Sequence, residues 1–231
     1  MEGTTLFCDP YNVIITGVGG QGNVMASRVL GDMLSAKGLR ITIGETFGAS
    51  QRGGSVMSHL RISATSILSP QIPKAKAHMV VALEPIEALR VLMVYGNPQA
   101  KVLCNTRPIQ PVAVICGDSE YPSLEFLKQR IAELTQNAWF LEATEAAMKL
   151  GNPILGNIMM IGALASIGDL PMDREDFKTV ISKMMSSEKL AANLTAYDMG
   201  AEMIRLYGLH GFLEEEAGDQ SCQSTEKKHQ K

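Results

Sequence analysis

Hydrophobic and polar positions divide the first half of the chain into short extended runs and amphipathic helices. Residues 11–16 (Tyr-Asn-Val-Ile-Ile-Thr) have an unbroken apolar centre, as expected of a strand buried on both faces. Residues 23–37 carry Ala26, Val29, Leu30, Met33 and Leu34 at spacings of three and four, which predicts a helix with one buried face. Gly38 stands where a C-terminal cap belongs. A second strand over 40–46 makes the opening a βαβ unit with a parallel pair. The run 55–62 reads as a third strand, with Val56, Leu60 and Ile62 on one face and Met57, His59 and Arg61 on the other. Only residues 47–54 join strands two and three, too few for a crossover helix. The third strand is therefore expected to run against the first two.

Further along, strands are predicted over 78–83, 101–105 and 138–142, with another extended run over 111–116. Pro85 suits the first turn of a helix reaching residue 94, and Glu84 is placed to cap it. Leu124, Leu127, Ile131 and Leu134 align along a helix over 123–136. The stretch 144–209 reads as helical, broken near 151–153, 168–171 and 186–187. The pattern predicts an α/β fold: a three-layer Rossmann-like domain with a mixed, mostly parallel sheet and a helical C-terminal part. Residues 1–10 read as an N-terminal extension, 11–212 as a single α/β domain, and 213–231 as a polar tail expected to be disordered.

Composition narrows the functional classes. The chain has 231 residues, 45% hydrophobic and 19% charged, which excludes global disorder. A net charge of −3 and 5% aromatics argue against nucleic-acid binding by bulk charge or by stacking. Cys8, Cys104, Cys116 and Cys222 are scattered with no C-x-x-C, so the reading gives the chain no metal site and no iron–sulfur cluster of its own. No signal-peptide pattern stands at the start, and the most apolar helical stretch, 154–167, is too short to span a bilayer. The expectation is a cytoplasmic protein with reduced thiols, away from membranes.

Gly17, Gly19 and Gly22 form G-x-G-x-x-G between strand and helix, with Gly20 and Gln21 inside the motif. Glycine lets the backbone turn sharply and approach a ligand, and the helix start offers unpaired N–H groups to an anion. Glu45 ends the second strand, near where dinucleotide-binding folds place the acid that holds a ribose. A tight turn that packs closely and binds nothing is the competing reading. The second loop carries Gln51, Arg52, Gly53, Gly54 and Ser55; if the first two strands are parallel, both loops leave the same sheet edge and face one crevice. Arg52 is either a donor fork for an anion or partner, or a solvated arginine on a flexible reversal. His59 reads as a packing residue, and most of the 14 methionines as core fillers. No nucleophile, redox centre or paired carboxylates stand out. The chain looks like part of an enzyme more than a whole one.

The runs Ile15-Thr16-Gly17-Val18-Gly19-Gly20-Gln21-Gly22 and Gly44-Glu45-Thr46 through Gln51-Arg52-Gly53-Gly54-Ser55-Val56 resemble the gamma-type domain of the 2-oxoacid:ferredoxin oxidoreductases, in particular its indolepyruvate type. Ser69-Pro70-Gln71-Ile72-Pro73, Leu83-Glu84-Pro85 and Gly151-Asn152-Pro153 with Asn157 through Leu164 are similar too. The resemblance extends from Tyr11 to about Gly208, and nothing is carried over to the tail after Leu213. It implies oxidative decarboxylation of a 2-oxoacid, an aryl pyruvate here, to an acyl-CoA with reduction of ferredoxin. It also implies a large partner subunit holding thiamine diphosphate, magnesium and 4Fe-4S clusters, with coenzyme A as co-substrate and ferredoxin reached through the complex. On that reading residues 17–22 and 51–55 line a shared cleft or subunit seam, their individual roles do not follow and none is assigned as catalytic, and the isolated chain is inactive. The alternative is an independent NAD(P)-dependent dehydrogenase built on the same glycine turn.

Overall fold

The computed structural model describes residues 6–48 and 53–226, with side chains through residue 207. Among the described residues six strands form one sheet in the order β2-β3-β1-β4-β5-β6. They are β1 (Tyr11–Val18), β2 (Arg40–Phe47), β3 (Ser55–Ser63), β4 (Met79–Ala82), β5 (Lys101–Asn105) and β6 (Asn137–Leu141). The helices are α1 (Asn23–Ala36), α2 (Pro85–Tyr95), α3 (Val112–Ile115), α4 (Leu124–Glu133), α5 (Ala143–Lys149), α6 (Gly156–Ile167), α7 (Arg174–Met184) and α8 (Ser187–Glu226), with a 3-10 turn at Pro153–Leu155.

β4, β5 and β6 run parallel to β1. β3 runs antiparallel to both β1 and β2, as the short loop requires. β1 and β2 point the same way but do not pair, because β3 lies between them. The expected parallel pair is thus corrected: a hairpin return from β2 keeps β3 beside it, and the other edge of β3 then takes β1. The run 111–116 also differs from expectation. Pro111 precedes the short helix α3, none of whose residues is buried; with no strand beside it, the segment satisfies its own backbone as a helical turn. The segment 213–231, expected to be disordered, carries no described side chain.

Alternation sorts the strand residues between two cores. Val13, Ile15, Leu60, Ile62, Met79, Val81 and Leu103 face the layer of α1, α6, α7 and α8. Ile14, Val80, Ala82, Val102 and Cys104 face α2 and α4. A central strand buried on both sides requires an apolar residue at almost every position, and β1 has one along most of its length. α6 is apolar on all sides because it lies within the helical layer, with residues 156–164 all buried. Among the described residues no helix is long and apolar enough to cross a membrane.

His59 behaves as a packing residue. It is 1% exposed, meets Tyr95 edge-on with ring centroids 5.1 Å apart, and its Nδ1 accepts the Ile72 N–H at 3.4 Å. Burial holds its pKa below the usual histidine value, and burial first, then Lys76, does the same for His78. The unfolded chain therefore binds protons more readily than the native one just below pH 6.5. Each such proton gives a stability slope of up to about 1.4 kcal/mol per pH unit, with stability complete above pH 6.5 and lost as pH falls through the depressed native values. Glu84, whose pKa burial raises, opposes this with one proton above pH 4.5. We expect a melting temperature that is flat above pH 6.5 and declines below it, with a shallower decline in His78→Gln. Identical pH curves for the two proteins would remove this assignment.

Candidate functional site

The turn 17–22 sits at the carboxyl end of β1, between a strand that must stop and a helix whose buried face must reach the sheet. Gly22, at φ 89°, is the N-terminal boundary residue of α1, in a conformation costly to any residue with a side chain. No side chain caps α1, and its first turn carries no acid. Gln21 folds back beneath the turn: its Oε1 accepts the Val18 N–H at 2.7 Å, and its Nε2 donates to the Leu83 carbonyl at 2.8 Å. One side chain thereby ties the ends of β1 and β4. There is no room for anything else under Gly17, where an added Cβ would stand 2.6 Å from Gln21 Oε1. Gly22 is covered by α6, with Asn157 Nδ2 2.2 Å from where its Cβ would be.

The second loop meets the first. The Gly19 N–H donates to the Gly54 carbonyl at 2.8 Å, and the Gly53 N–H to the Gly19 carbonyl at 3.3 Å. Strand register requires this, since Val18 stands opposite Ser55. Gln51 and Arg52 lie outside the described residues. Glu45 does not join the turn. It pairs with Ser58, which pairs with Ile15, so two strand spacings, roughly 10 Å, separate it from β1. The inserted β3 is the reason: the acid that adjoins the glycine turn in a dinucleotide fold is here on the outer strand, exposed.

Two recesses flank the joined loops. The larger, a cleft of about 420 Å³, is bounded by Gly20, Gln21, Asn105, Arg107, Thr144 and Asn157, with Pro108, Ile109, Met148, Pro153 and Ile154 as an apolar wall. The smaller, about 140 Å³, lies between Gly53, Gly54 and Ser55, the start of α2, and Ile109 and Tyr121. Ile109 borders both. Asn105, at the end of β5, donates to the Leu83 carbonyl and to Thr144 Oγ1 while accepting the Thr144 N–H, so it fixes the start of α5. Arg107 is half-exposed and pairs with Glu145 at 3.2 Å. The cleft is suited to a group with an apolar body, one anionic end near Arg107, and polar edges.

Glu84 lines the smaller recess. It is 1% exposed, and its carboxylate accepts the Glu87 N–H at 2.9 Å, the Ile109 N–H at 3.3 Å and the Tyr121 hydroxyl. The expected cap of α2 is therefore present, with two further donors from a distant segment. Burial pushes the Glu84 carboxyl up, and these three donors pull it part of the way back. Glu87, also buried, accepts from Ser55 Oγ at 2.5 Å and pairs with Arg90 at 3.2 Å. The second loop is thus anchored to α2. Among the sequence signals, a polar residue ending a buried strand at the carboxyl edge would have marked Asn105 beside Glu84; Tyr121 carries no local signal. Among the described residues no three His, Cys, Asp or Glu side chains gather as metal ligands.

Fold and site together define an α/β domain that presents a shaped cleft at its sheet edge, with an extra antiparallel strand separating it from plain dinucleotide-binding folds. The chain belongs to the pyruvate ferredoxin/flavodoxin oxidoreductase family, whose model matches residues 12–203. It is 38% identical over 194 residues to the indolepyruvate oxidoreductase subunit IorB of Pyrococcus horikoshii, covering 83% of this chain and 95% of that one. The IorB of Thermococcus kodakarensis is 34% identical, over 83% of this chain and 95% of its own. In solved structures the fold matches a keto/oxoacid ferredoxin oxidoreductase gamma subunit from Geobacter sulfurreducens (TM-score 0.61, 16% identity, 85% of this chain and 99% of that one). It also matches a 2-oxoglutarate:ferredoxin oxidoreductase chain from Magnetococcus marinus (TM-score 0.67, 18% identity, 86% of this chain and 32% of that one).

Proposed function

We propose that this chain is the small subunit of an indolepyruvate-type 2-oxoacid:ferredoxin oxidoreductase, which converts an aryl pyruvate to the acyl-CoA and reduces ferredoxin. The observation that carries the reading is identity of 38% over nearly the whole length of an IorB subunit, in a chain whose glycine turn is hydrogen-bonded at Gly19 to Gly53 and Gly54 of the second loop. Thiamine diphosphate, magnesium and 4Fe-4S clusters belong on this reading to the large partner subunit, and the complex works in the cytoplasm. Among the residues with described side chains the cysteines do not fit a cluster: Cys8 is half-buried in the N-terminal segment, Cys104 is sealed inside β5, and Cys116 is exposed after α3. No step is therefore routed through such a group on this chain.

Its own residues act as wall and support. Gln21 and Asn105 hold the strand ends, Gly53 and Gly54 allow the second loop to close against the first, and the apolar side of the cleft excludes water from what it covers. Burial of that wall against the partner removes the exposure of Met148 and Ile154, which are 53% and 47% exposed here. Mixing the chain with the large subunit is expected to restore indolepyruvate- and coenzyme A-dependent reduction of ferredoxin or a viologen dye, with neither chain active alone. Full activity in the large subunit by itself, or none after mixing under anaerobic conditions, would overturn the reading.

A further inference from the structure

The segment between β5 and α4 forms a strap, residues 106–122, lying across the carboxyl edge of the sheet. Its start is pinned by Thr106, whose N–H and hydroxyl both donate to the Leu141 carbonyl, at 2.9 and 3.2 Å. Its end passes into α4, capped by Ser123 Oγ, which accepts the Phe126 N–H at 3.2 Å. Between these ends it is largely exposed, with Ile109, Val114 and Tyr121 partly buried, and no residue of α3 within it is fully buried. The strap reaches the body at two points: Arg107 pairs with Glu145 of α5 at 3.2 Å, and further in Ile109 N–H from one limb and Tyr121 O–H from the other meet on Oε1 of the single carboxylate of Glu84. The limb held by Ile109 also carries Arg107 and Pro108, which with Ile109 make up one side of the larger cleft.

We propose that Glu84 is a positioning residue for the cleft: its buried carboxylate clasps both limbs of the strap and so sets Arg107 and Ile109 where the assembled enzyme needs them. Two donors 12 residues apart in sequence converge on a single oxygen, while the other oxygen is taken by the helix cap. A carboxylate holds all three donors with its full negative charge; protonation removes that charge and, if it falls on Oε1, one of the lone pairs the two limbs share, so the clasp weakens. The clasp is thus closed in the ionised form and loosened in the protonated one. Groups around it act accordingly. Burial and the Glu87 carboxylate on α2 raise the Glu84 pKa, while the Tyr121, Glu87 and Ile109 donors lower it. Arg90 partly neutralises Glu87. From β5, the thiol of Cys104 is pushed up by its own burial and by Glu84, and so stays uncharged beside it, with Lys128 of α4 pulling the other way.

This inference rests on the proposed function for its activity readout and is tested in the reconstituted complex, with hydrogen exchange on the full chain as a second, activity-free measurement. In Tyr121→Phe the carboxylate loses a donor that favours ionisation, so the acid limb of the kcat/KM profile should move to higher pH. In Glu84→Gln the limb should vanish, with kcat/KM lowered at all pH values by roughly tenfold to a hundredfold, since the cleft wall is displaced. Exchange at the Ile109 amide should rise in Glu84→Gln. A merely structural Glu84 would lower the melting temperature and leave the acid limb where it is in Tyr121→Phe; that result, with an active wild-type complex, overturns the clasp and leaves the function standing. An inactive wild-type complex counts against the function, and unchanged exchange at Ile109 in Glu84→Gln then overturns the clasp independently.

Discussion

Gly162→Ala is expected to lower stability by about 3 kcal/mol or more, the range of severe overpacking in a core. A Cβ at Gly162 on α6 would stand 2.0 Å from the Tyr197 carbonyl oxygen of α8, and one at Gly200 on α8 would stand 1.9 Å from the Met159 carbonyl of α6. Each helix thus lays its backbone into a notch left by a glycine of the other. A carbonyl oxygen cannot rotate away as a side-chain end does, so the helices must separate. α6 is buried all round, and its separation from α8 would disturb Phe177 and Tyr197, stacked at 4.5 Å between α7 and α8. For a chain of this size the loss corresponds to a melting temperature lower by about 6–12 °C. Gly38→Ala is the control: it has the strained φ of 84° but nothing within 4 Å, so only the backbone cost of roughly 1 kcal/mol applies. The double variant Gly162→Ala/Gly200→Ala should cost less than the sum, because the first displacement already opens the second notch. A melting temperature of Gly162→Ala equal to that of Gly38→Ala would refute the interlocked packing.

The second large effect is expected at Gln21. Its replacement by Ala leaves the Val18 N–H without its partner at the end of a fully buried strand, a penalty of about 1–3 kcal/mol. The Leu83 carbonyl keeps one donor, Asn105 Nδ2 at 3.0 Å, so most of the penalty falls on β1. The functional consequence is larger than the stability loss. With the tie between β1 and β4 gone, the glycine turn and the side of the cleft formed by Gly20 and Gln21 relax, and a displacement of about 1 Å at a reacting site can cost on the order of a hundredfold in rate. Gln21→Met separates clamping from filling. It keeps the length and apolar bulk but neither hydrogen bond, and should be nearly as impaired as Gln21→Ala in the reconstituted complex. Recovery of wild-type turnover by Gln21→Met would show that the side chain fills space and does not clamp.

This assignment changes the meaning of the glycine motif. In a dinucleotide-binding fold such a turn keeps the helix start open for a pyrophosphate. Here the space beneath Gly17 is occupied by Gln21, and Gly22 is overlaid by Asn157 from α6, 135 residues distant in sequence. What stays open is the outer side, at Gly20, where nothing lies within 4 Å of an added Cβ. The motif therefore serves close packing on its inner side and lines a cleft on its outer one.

Much of this was readable from residue order. The period of two in 55–62 assigned the faces of β3, and the length of the preceding loop dictated its direction, because a chain of that length can return but cannot cross over. Glu84 was legible as a cap because Pro85 follows it. Three features were not. The order of strands depends on which edge of β3 accepts β1, a contact between residues about 45 positions apart that no local pattern encodes. The run 111–116 has strand-like composition, yet its conformation depended on whether a neighbouring strand existed. The clasp of Tyr121 and Ile109 on Glu84 joins three segments whose individual sequences carry no sign of one another.

Local chemistry thus assigned most of the elements, their faces and the direction of β3, since short-range sterics and periodic burial act within a dozen residues. Long-range packing chose the neighbours: it set Glu45 on an outer strand, brought Asn157 over the glycine turn, and gathered two limbs of a strap on one buried carboxylate. Those choices depend on the burial of apolar surface shared between distant segments, and that energy exists only once the segments have met.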